Sequence, residues 1–168
     1  MSTVIRDGYT LFWQSDSPFS QWHPCAFTVA GRAFTCAEQF MMHGKALLFG
    51  DAEVAAQILA AADPRAHKAL GRKVRGFDDV RWKAAREAIV YAGNHAKFTQ
   101  APALRAALDA TAGTTLVEAS PMDRIWGIGL AASSPHATDP ARWRGQNLLG
   151  KILTRLRDDL RASSPAIG

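Results

Sequence analysis

Glu38, Met42, Lys45 and Phe49 recur at the spacing of one helix face. Side chains on a helix lean toward its start, so Lys45 can reach back toward Glu38. A carboxylate and an ammonium bordering one surface with apolar neighbours suit acid/base work, since a carboxyl in apolar surroundings exchanges its proton nearer neutrality. Each residue also has a plainer reading. Thr35-Cys36-Ala37-Glu38 matches a capping box, with Glu38 as its acid. Lys45 can be a solvated charge. A second acid, Asp123, stands in Ser120-Pro121-Met122-Asp123-Arg124-Ile125-Trp126-Gly127-Ile128-Gly129. Gly127 and Gly129 permit close approach to Trp126, which has the flat surface to stack on a heterocycle. The alternative is a buried loop tryptophan with Asp123 capping a turn.

Two further segments carry anion-binding chemistry. Asn147, in Trp143-Arg144-Gly145-Gln146-Asn147-Leu148, stands at a helix start, where free N–H groups attract anions; it reads equally as an ordinary cap. Gly71-Arg72-Lys73 offers charge to a phosphate, or is an ordinary helix end. His23, His43, His67, His95 and His136 are not at metal-ligand spacing, and neither a dinucleotide fingerprint nor a Walker loop occurs. No metal and no cofactor are expected. Cys25 and Cys36 lack a Cys-x-x-Cys arrangement and read as free thiols of a reducing, cytoplasmic setting.

The elements that must position these residues follow from periodicity and caps. Ala26–Val29 and Arg32–Thr35 flank Ala30-Gly31 as a short hairpin. Helices are expected from the capping box to about Phe49, over Asp51–Ala62, from Asp63-Pro64 to about Lys73, over 79–98, from Pro102 to Gly113, and from about Gln146 onward. In the long helix Trp82, Ala85, Ile89, Ala92 and Ala96 form the inward stripe, with Arg81, Lys83, Arg86 and Glu87 outward. Thr115–Ala119 reads as a strand. Residues 120–144 are irregular, and a loop of that length bearing Trp126 and Trp143 is more consistent with function than with disorder. The expected fold is mainly α: a compact single-domain helical protein with a few short β-strands, spanning 1–168 with its core over about 10–162 and a polar tail over 163–168.

Composition agrees. The chain has 168 residues, 48% apolar and 21% charged, close to globular averages. At this length a single core buries roughly two thirds of the unfolded surface, so no disulfide framework is required. Lys and Arg number 20 against 15 Asp and Glu, a net charge of +5. That surplus suits phosphorylated small molecules and permits a nucleic-acid partner. No run approaches the roughly 18 consecutive apolar residues of a membrane span, and the first residues lack the apolar run expected of a signal peptide.

Taken in order, the motifs resemble the YbiA-like, or NADAR, family, also called ribA/ribD-fused. The resemblance runs from about Phe12 to Leu160. It rests on Pro18-Phe19-Ser20, Pro24-Cys25-Ala26-Phe27, Glu38 with Lys45, Gly71-Arg72, Trp82, Ala96-Lys97-Phe98, Leu116–Ser120, Asp123–Gly129 and Gly145–Gly150. It implies a YbiA-like fold and an N-glycosidase that cleaves a ribose C1–N bond. One branch of the family acts on the first riboflavin-pathway intermediates, ribosylamino-pyrimidine phosphates, and releases ribose 5-phosphate. Another removes ADP-ribose from guanine bases in DNA. The family's acidic pair falls on Glu38 and Asp123 and its lysine on Lys45. Ser20, Gln21, Arg72, Trp126, Gly127 and Asn147 would bind substrate. The chain departs from the family at Gln21, where Asn is usual, at Gln39-Phe40-Met41, where His and aromatics are common, and at Gln146, where Lys is common. The first expectation is the riboflavin-type activity. The ADP-ribosyl-guanine activity is the alternative, with a DNA partner and a steep salt dependence. A non-catalytic nucleotide or ADP-ribose binder is the third reading, and it would need Trp126 and the basic residues but not both acids.

Overall fold

The computed structural model describes residues 3–164. Its described residues form six α-helices and five short strands, so the protein is mainly helical with little sheet. They gather into two compact units: one takes the chain up to Ser20 together with everything from Pro102, the other takes Gln21–Ala101.

The second unit opens on the hairpin β3 (Phe27–Val29) and β4 (Arg32–Phe34), paired antiparallel with Phe27 opposite Phe34. Ala30 and Gly31 both adopt positive φ, 50° and 77°, the backbone of a primed two-residue turn whose twist matches the strands. Phe27 stacks on Phe34, and Phe34 meets Phe40 edge to face, which fixes the hairpin to α1 (Ala37–Leu48). Three helices pack on α1: α2 (Ala52–Ala60), α3 (Pro64–Gly71) and α4 (Asp79–Gln100). Asp51, Asp63 and Asp78 cap them by accepting the N–H of Val54, Ala66 and Arg81. A Cβ on Gly71 would strike the Met42 side chain, so its absence lets the end of α3 lie against α1.

The expected stripe of α4 is corrected. The buried positions are Trp82, Arg86, Val90, Gly93, Asn94, Ala96, Lys97 and Phe98, while Ala92 is exposed. Arg86 therefore faces inward with Asn94 and Lys97. In an Ala-rich helix small residues occur on every side, so counting apolar residues cannot choose between faces; here the polar side chains mark the inner one.

The other unit holds β1 (Thr3–Arg6), β2 (Tyr9–Phe12), α5 (Pro102–Asp109), β5 (Thr115–Glu118) and α6 (Leu148–Ser163). β2 is central, antiparallel to β1 and parallel to β5, with Leu11 opposite Val117. The β1–β2 hairpin is not among the elements expected from the sequence, although its turn, Asp7-Gly8 with both φ positive, carries the strongest short hairpin signal. α6 packs on β5, where Thr154 Oγ1 accepts the Leu116 N–H and Gly150 leaves room for the Leu116 carbonyl. Its buried stripe includes Leu149, Ile152, Leu153, Leu156 and Leu160. The residues 120–144 are irregular as expected, with one 3-10 turn at Pro140–Arg142. The polar tail falls largely outside the described residues, and α6 itself reaches Ser163. Among the described residues no helix is long and apolar enough to cross a membrane.

Candidate functional site

The start of α1 differs from the expected capping box by one residue. Cys36, not Thr35, is the N-cap, and its Sγ accepts the Gln39 N–H at 3.5 Å. Gln39 Oε1 in turn accepts the Thr35 N–H at 2.8 Å. Gln39 thus occupies the third helical position, where a capping box keeps its polar side chain, and Glu38 stands one place earlier. The Glu38 N–H donates to the Gln21 carbonyl at 2.9 Å, and the residue is only 5% exposed. Carboxylates are seldom this deeply buried.

Lys45 lies seven residues along α1, half-buried. Its Nζ sits 4.8 Å from the Phe77 ring centroid and 5.6 Å from that of Trp82. The two rings hold the ammonium by cation–π attraction. Burial and the neighbouring Arg72 push its pKa down, and the Glu38 carboxylate opposes them. Glu38, Lys45 and Arg72 therefore share one electrostatic neighbourhood, as the sequence spacing predicted for the first two. Gly71 brings α3 onto α1 at Met42 and so delivers Arg72 there.

Gln21 is also buried in this unit. Its Oε1 accepts a hydrogen bond from Asn94 Nδ2 at 2.8 Å, and the same Asn94 nitrogen donates to the Val90 carbonyl. Asn94, Arg86 and Lys97 are buried polar residues that are not among the site residues expected from the sequence. The signal that could have found them is their common face on α4, at spacings of eight and eleven from Arg86. Lys97 is almost wholly buried, and desolvation brings its ammonium pKa down to about 8 against the opposing influence of the Cys25 and Cys36 thiols.

Cys36 also meets His67, with Sγ 3.6 Å from Nδ1. His67 Nε2 lies 2.9 Å from the Ala61 carbonyl, which can only accept, so Nε2 carries the proton and the thiol donates to Nδ1. Burial raises the Cys36 thiol to about 11. Cys36 is a capping and tethering thiol. Among the described residues no three of His, Cys, Asp and Glu come together as metal ligands.

In the other unit, Asp123 organises its own loop. Its Oδ1 accepts the N–H groups of Ile125 and Trp126, each at 2.8 Å. Ser120 Oγ accepts the Asp123 N–H, and the Asp123 carbonyl accepts the Gly129 N–H. The turn-capping reading of Asp123 is thus realised in one carboxylate oxygen. Trp126 is half-buried in this loop. A Cβ on Gly127 would press on the carbonyls of Glu118 and Asp123, so that glycine is a steric requirement as well as a binding candidate. Ser20 is buried at the end of the same unit's N-terminal segment, and its N–H donates to the Ser17 carbonyl.

The start of α6 does not offer the anion site that Asn147 suggested. The N–H groups of Gln146, Asn147, Leu148 and Leu149 are spent on the carbonyls of Arg124, Gly127, Ile125 and Trp126. Asn147 makes no side-chain cap either. Its Oδ1 accepts the Glu118 N–H at 3.0 Å and its Nδ2 donates to the Leu116 carbonyl at 3.1 Å.

Comparison with known proteins bears on this arrangement. The NADAR domain model matches residues 11–161. "N-glycosidase R617" of Acanthamoeba polyphaga mimivirus is 43% identical over 146 residues, which cover 84% of this chain and 86% of that protein. "Riboflavin biosynthesis protein PYRR, chloroplastic" of Zea mays is 30% identical over 68% of this chain, a stretch that makes up 17% of the maize protein. The NMR structure of the E. coli protein YbiA aligns with a TM-score of 0.78 at 25% identity, over 99% of this chain and 95% of that one.

Proposed function

The chain belongs to the NADAR family, and from that premise we propose that it is an N-glycosidase that hydrolyses a ribose C1–N bond. The observation that carries the proposal is the buried Glu38, sharing its surroundings with Lys45 and Arg72. The substrate we propose is an early riboflavin-pathway ribosylamino-pyrimidine phosphate. In its favour stand the riboflavin-biosynthesis name of the maize relative and the cations beside Glu38, which suit a phosphate.

Paired carboxylates divide the work in glycoside hydrolysis. In this proposal Glu38 takes a proton from water as the oxygen attacks ribose C1. The C1–N bond breaks with its electron pair going to the amine nitrogen, which takes up the proton that Glu38 received from water, and the products are ribose 5-phosphate and the free heterocyclic amine. Asp123, oriented by two backbone N–H groups, supplies fixed negative charge against the developing oxocarbenium ion. Trp126 stacks on the heterocycle. Lys45 and Arg72 bind phosphate, and Ser20, Gln21 and Gly127 line the substrate. Asn147 leaves the set of direct contacts, because its amide is committed to β5. The test is incubation with the ribosylamino-pyrimidine phosphate and identification of the sugar released; no ribose 5-phosphate at enzyme concentrations comparable to substrate would sink the proposal.

One observation favours a second substrate. Arg65, Lys68, Arg72 and Lys73 are all exposed on and just after α3, a cationic surface suited to a nucleic-acid backbone. Removal of ADP-ribose from guanine in DNA would use it. The same incubation with ADP-ribosylated guanine DNA, read as free ADP-ribose, separates the two.

A further inference from the structure

We infer that Asn147 is a positioning residue for the reaction proposed above, on which this inference rests: it sets the Asp123–Gly129 loop through the backbone and does not itself meet substrate. Asn147 is fully buried, with both ends of its amide on the backbone of β5. Its own backbone is left-handed, with φ 53° and ψ 40°, a conformation that Asn adopts at lower cost than most residues with a Cβ. This turn aims four successive N–H groups, from Gln146 to Leu149, at the carbonyls of residues 124–127, at 2.9 to 3.2 Å.

The consequence falls on Ile125 and Trp126, which are held from two sides. Their carbonyls accept from Leu148 and Leu149 at the start of α6, and their N–H groups donate to Asp123 Oδ1. The orientation of the Asp123 carboxylate and the place of Trp126 are therefore set by where α6 begins. Asn147 fixes that start relative to β5. The glycines on either side fit the same design. A Cβ at Gly145 would strike the Gly127 carbonyl and the Arg124 backbone, and one at Gly150 the Leu116 carbonyl and the Asn147 amide.

The test uses Asn147→Gly, which keeps the left-handed turn and every backbone donor and removes only the amide. The first readout needs no substrate: amide hydrogen exchange at Ile125 and Trp126 in the free protein. Exchange there should quicken at least about tenfold, while amides of α1 keep their rates. The second readout is a cycle in kcat/KM with Asp123→Asn. Asn147→Gly should cost about tenfold or more alone and a small part of that when Asp123 is already Asn, because the two act as one unit. Exchange that changes nowhere, or rises equally throughout the molecule, overturns the inference, since the amide would then serve general stability only. Fully additive losses also overturn it, since Asn147 would then have a contact of its own with substrate. If the glycine variant does not fold, Asn147→Asp takes its place: it keeps the acceptor for the Glu118 N–H, sets an oxygen against the Leu116 carbonyl, and is read in the same way. Absence of any turnover in the wild type defeats the proposed function and leaves the exchange result to decide the role of Asn147 in the loop.

Discussion

Glu38 and Lys97 show two ways in which one buried ionisable residue can be tested apart from its surroundings. Because Cys36 and Gln39 cap α1, Glu38→Gln removes the proton carrier and leaves the helix start intact. Turnover should fall by about 10²–10⁴, the usual contribution of general acid–base catalysis, with a melting temperature close to wild type. A variant that keeps its rate would remove Glu38 from the chemistry. Lys97 makes the opposite kind of prediction. The folded protein holds its ammonium at a pKa of about 8, below the ordinary 10.5. Between those values the unfolded chain binds the proton and the folded one does not, so stability rises with pH across that window. Below it, both states are charged and the folded state bears the full cost of the buried charge. Lys97→Met should therefore stabilise the protein at pH 7, by up to about 3 kcal/mol, and the advantage should fade as pH approaches 10.5. Urea titrations at pH 7 and pH 10 read this directly. Lower stability of the variant at pH 7 would mean that the contacts of Lys97 outweigh its desolvation.

At the scale of elements, the approach of α6 to the loop below it rests on glycines, and one of them gives a sharp test. A Cβ at Gly145 would meet carbonyl and backbone atoms of residues 124 and 127, none of which can rotate aside as a side chain does. Gly145→Ala should cost about 3 kcal/mol, at the upper end for overpacking, and lower the melting point by roughly 6–12 °C. Differential scanning calorimetry measures it; a shift under 2 °C would show that the loop gives way easily. Spacing rules do not announce this requirement, since the atoms that Gly145 meets belong to residues 124 and 127, about twenty positions earlier in the chain. The starts of α2 and α3 were legible, because Asp51 and Asp63-Pro64 act through local rules that hold in the folded protein. So was the β3–β4 hairpin, whose turn follows from Ala30-Gly31. The inner face of α4 was not, because Arg86, Asn94 and Lys97 break the rule that inward residues are apolar. Glu38 and Lys45 were legible as a pair from helix spacing alone. What Asn147 does was hidden, because its partners on β5 lie about thirty positions earlier in the chain, where spacing rules have no reach.

For the molecule as a whole, charge separates the two substrates that the family relationship leaves open. The chain carries a net charge of +5, and Arg65, Lys68, Arg72 and Lys73 put part of it on one exposed surface. Each phosphate that binding neutralises on a nucleic acid releases roughly 0.7 to 0.9 of a condensed counterion, and the dependence on salt counts those contacts. A small phosphorylated ribosylamine carries no condensed atmosphere, so its attraction is weakened by ordinary screening only. With such a substrate, KM should change by less than about fivefold between 50 and 200 mM salt, with kcat unchanged. If the α3 surface tracks a DNA backbone over three or more phosphates, affinity for DNA should drop by about twentyfold or more over the same range. Replacing Lys68 and Lys73 by Gln should then flatten that slope and leave the small-substrate KM alone, because neither residue belongs to the Glu38, Lys45 and Arg72 neighbourhood. An equally shallow slope for DNA and small substrate, unaffected by the two replacements, would reduce the α3 surface to a solvated face and count against the DNA reading. A steep slope that the replacements flatten would make nucleic acid the partner that this surface serves.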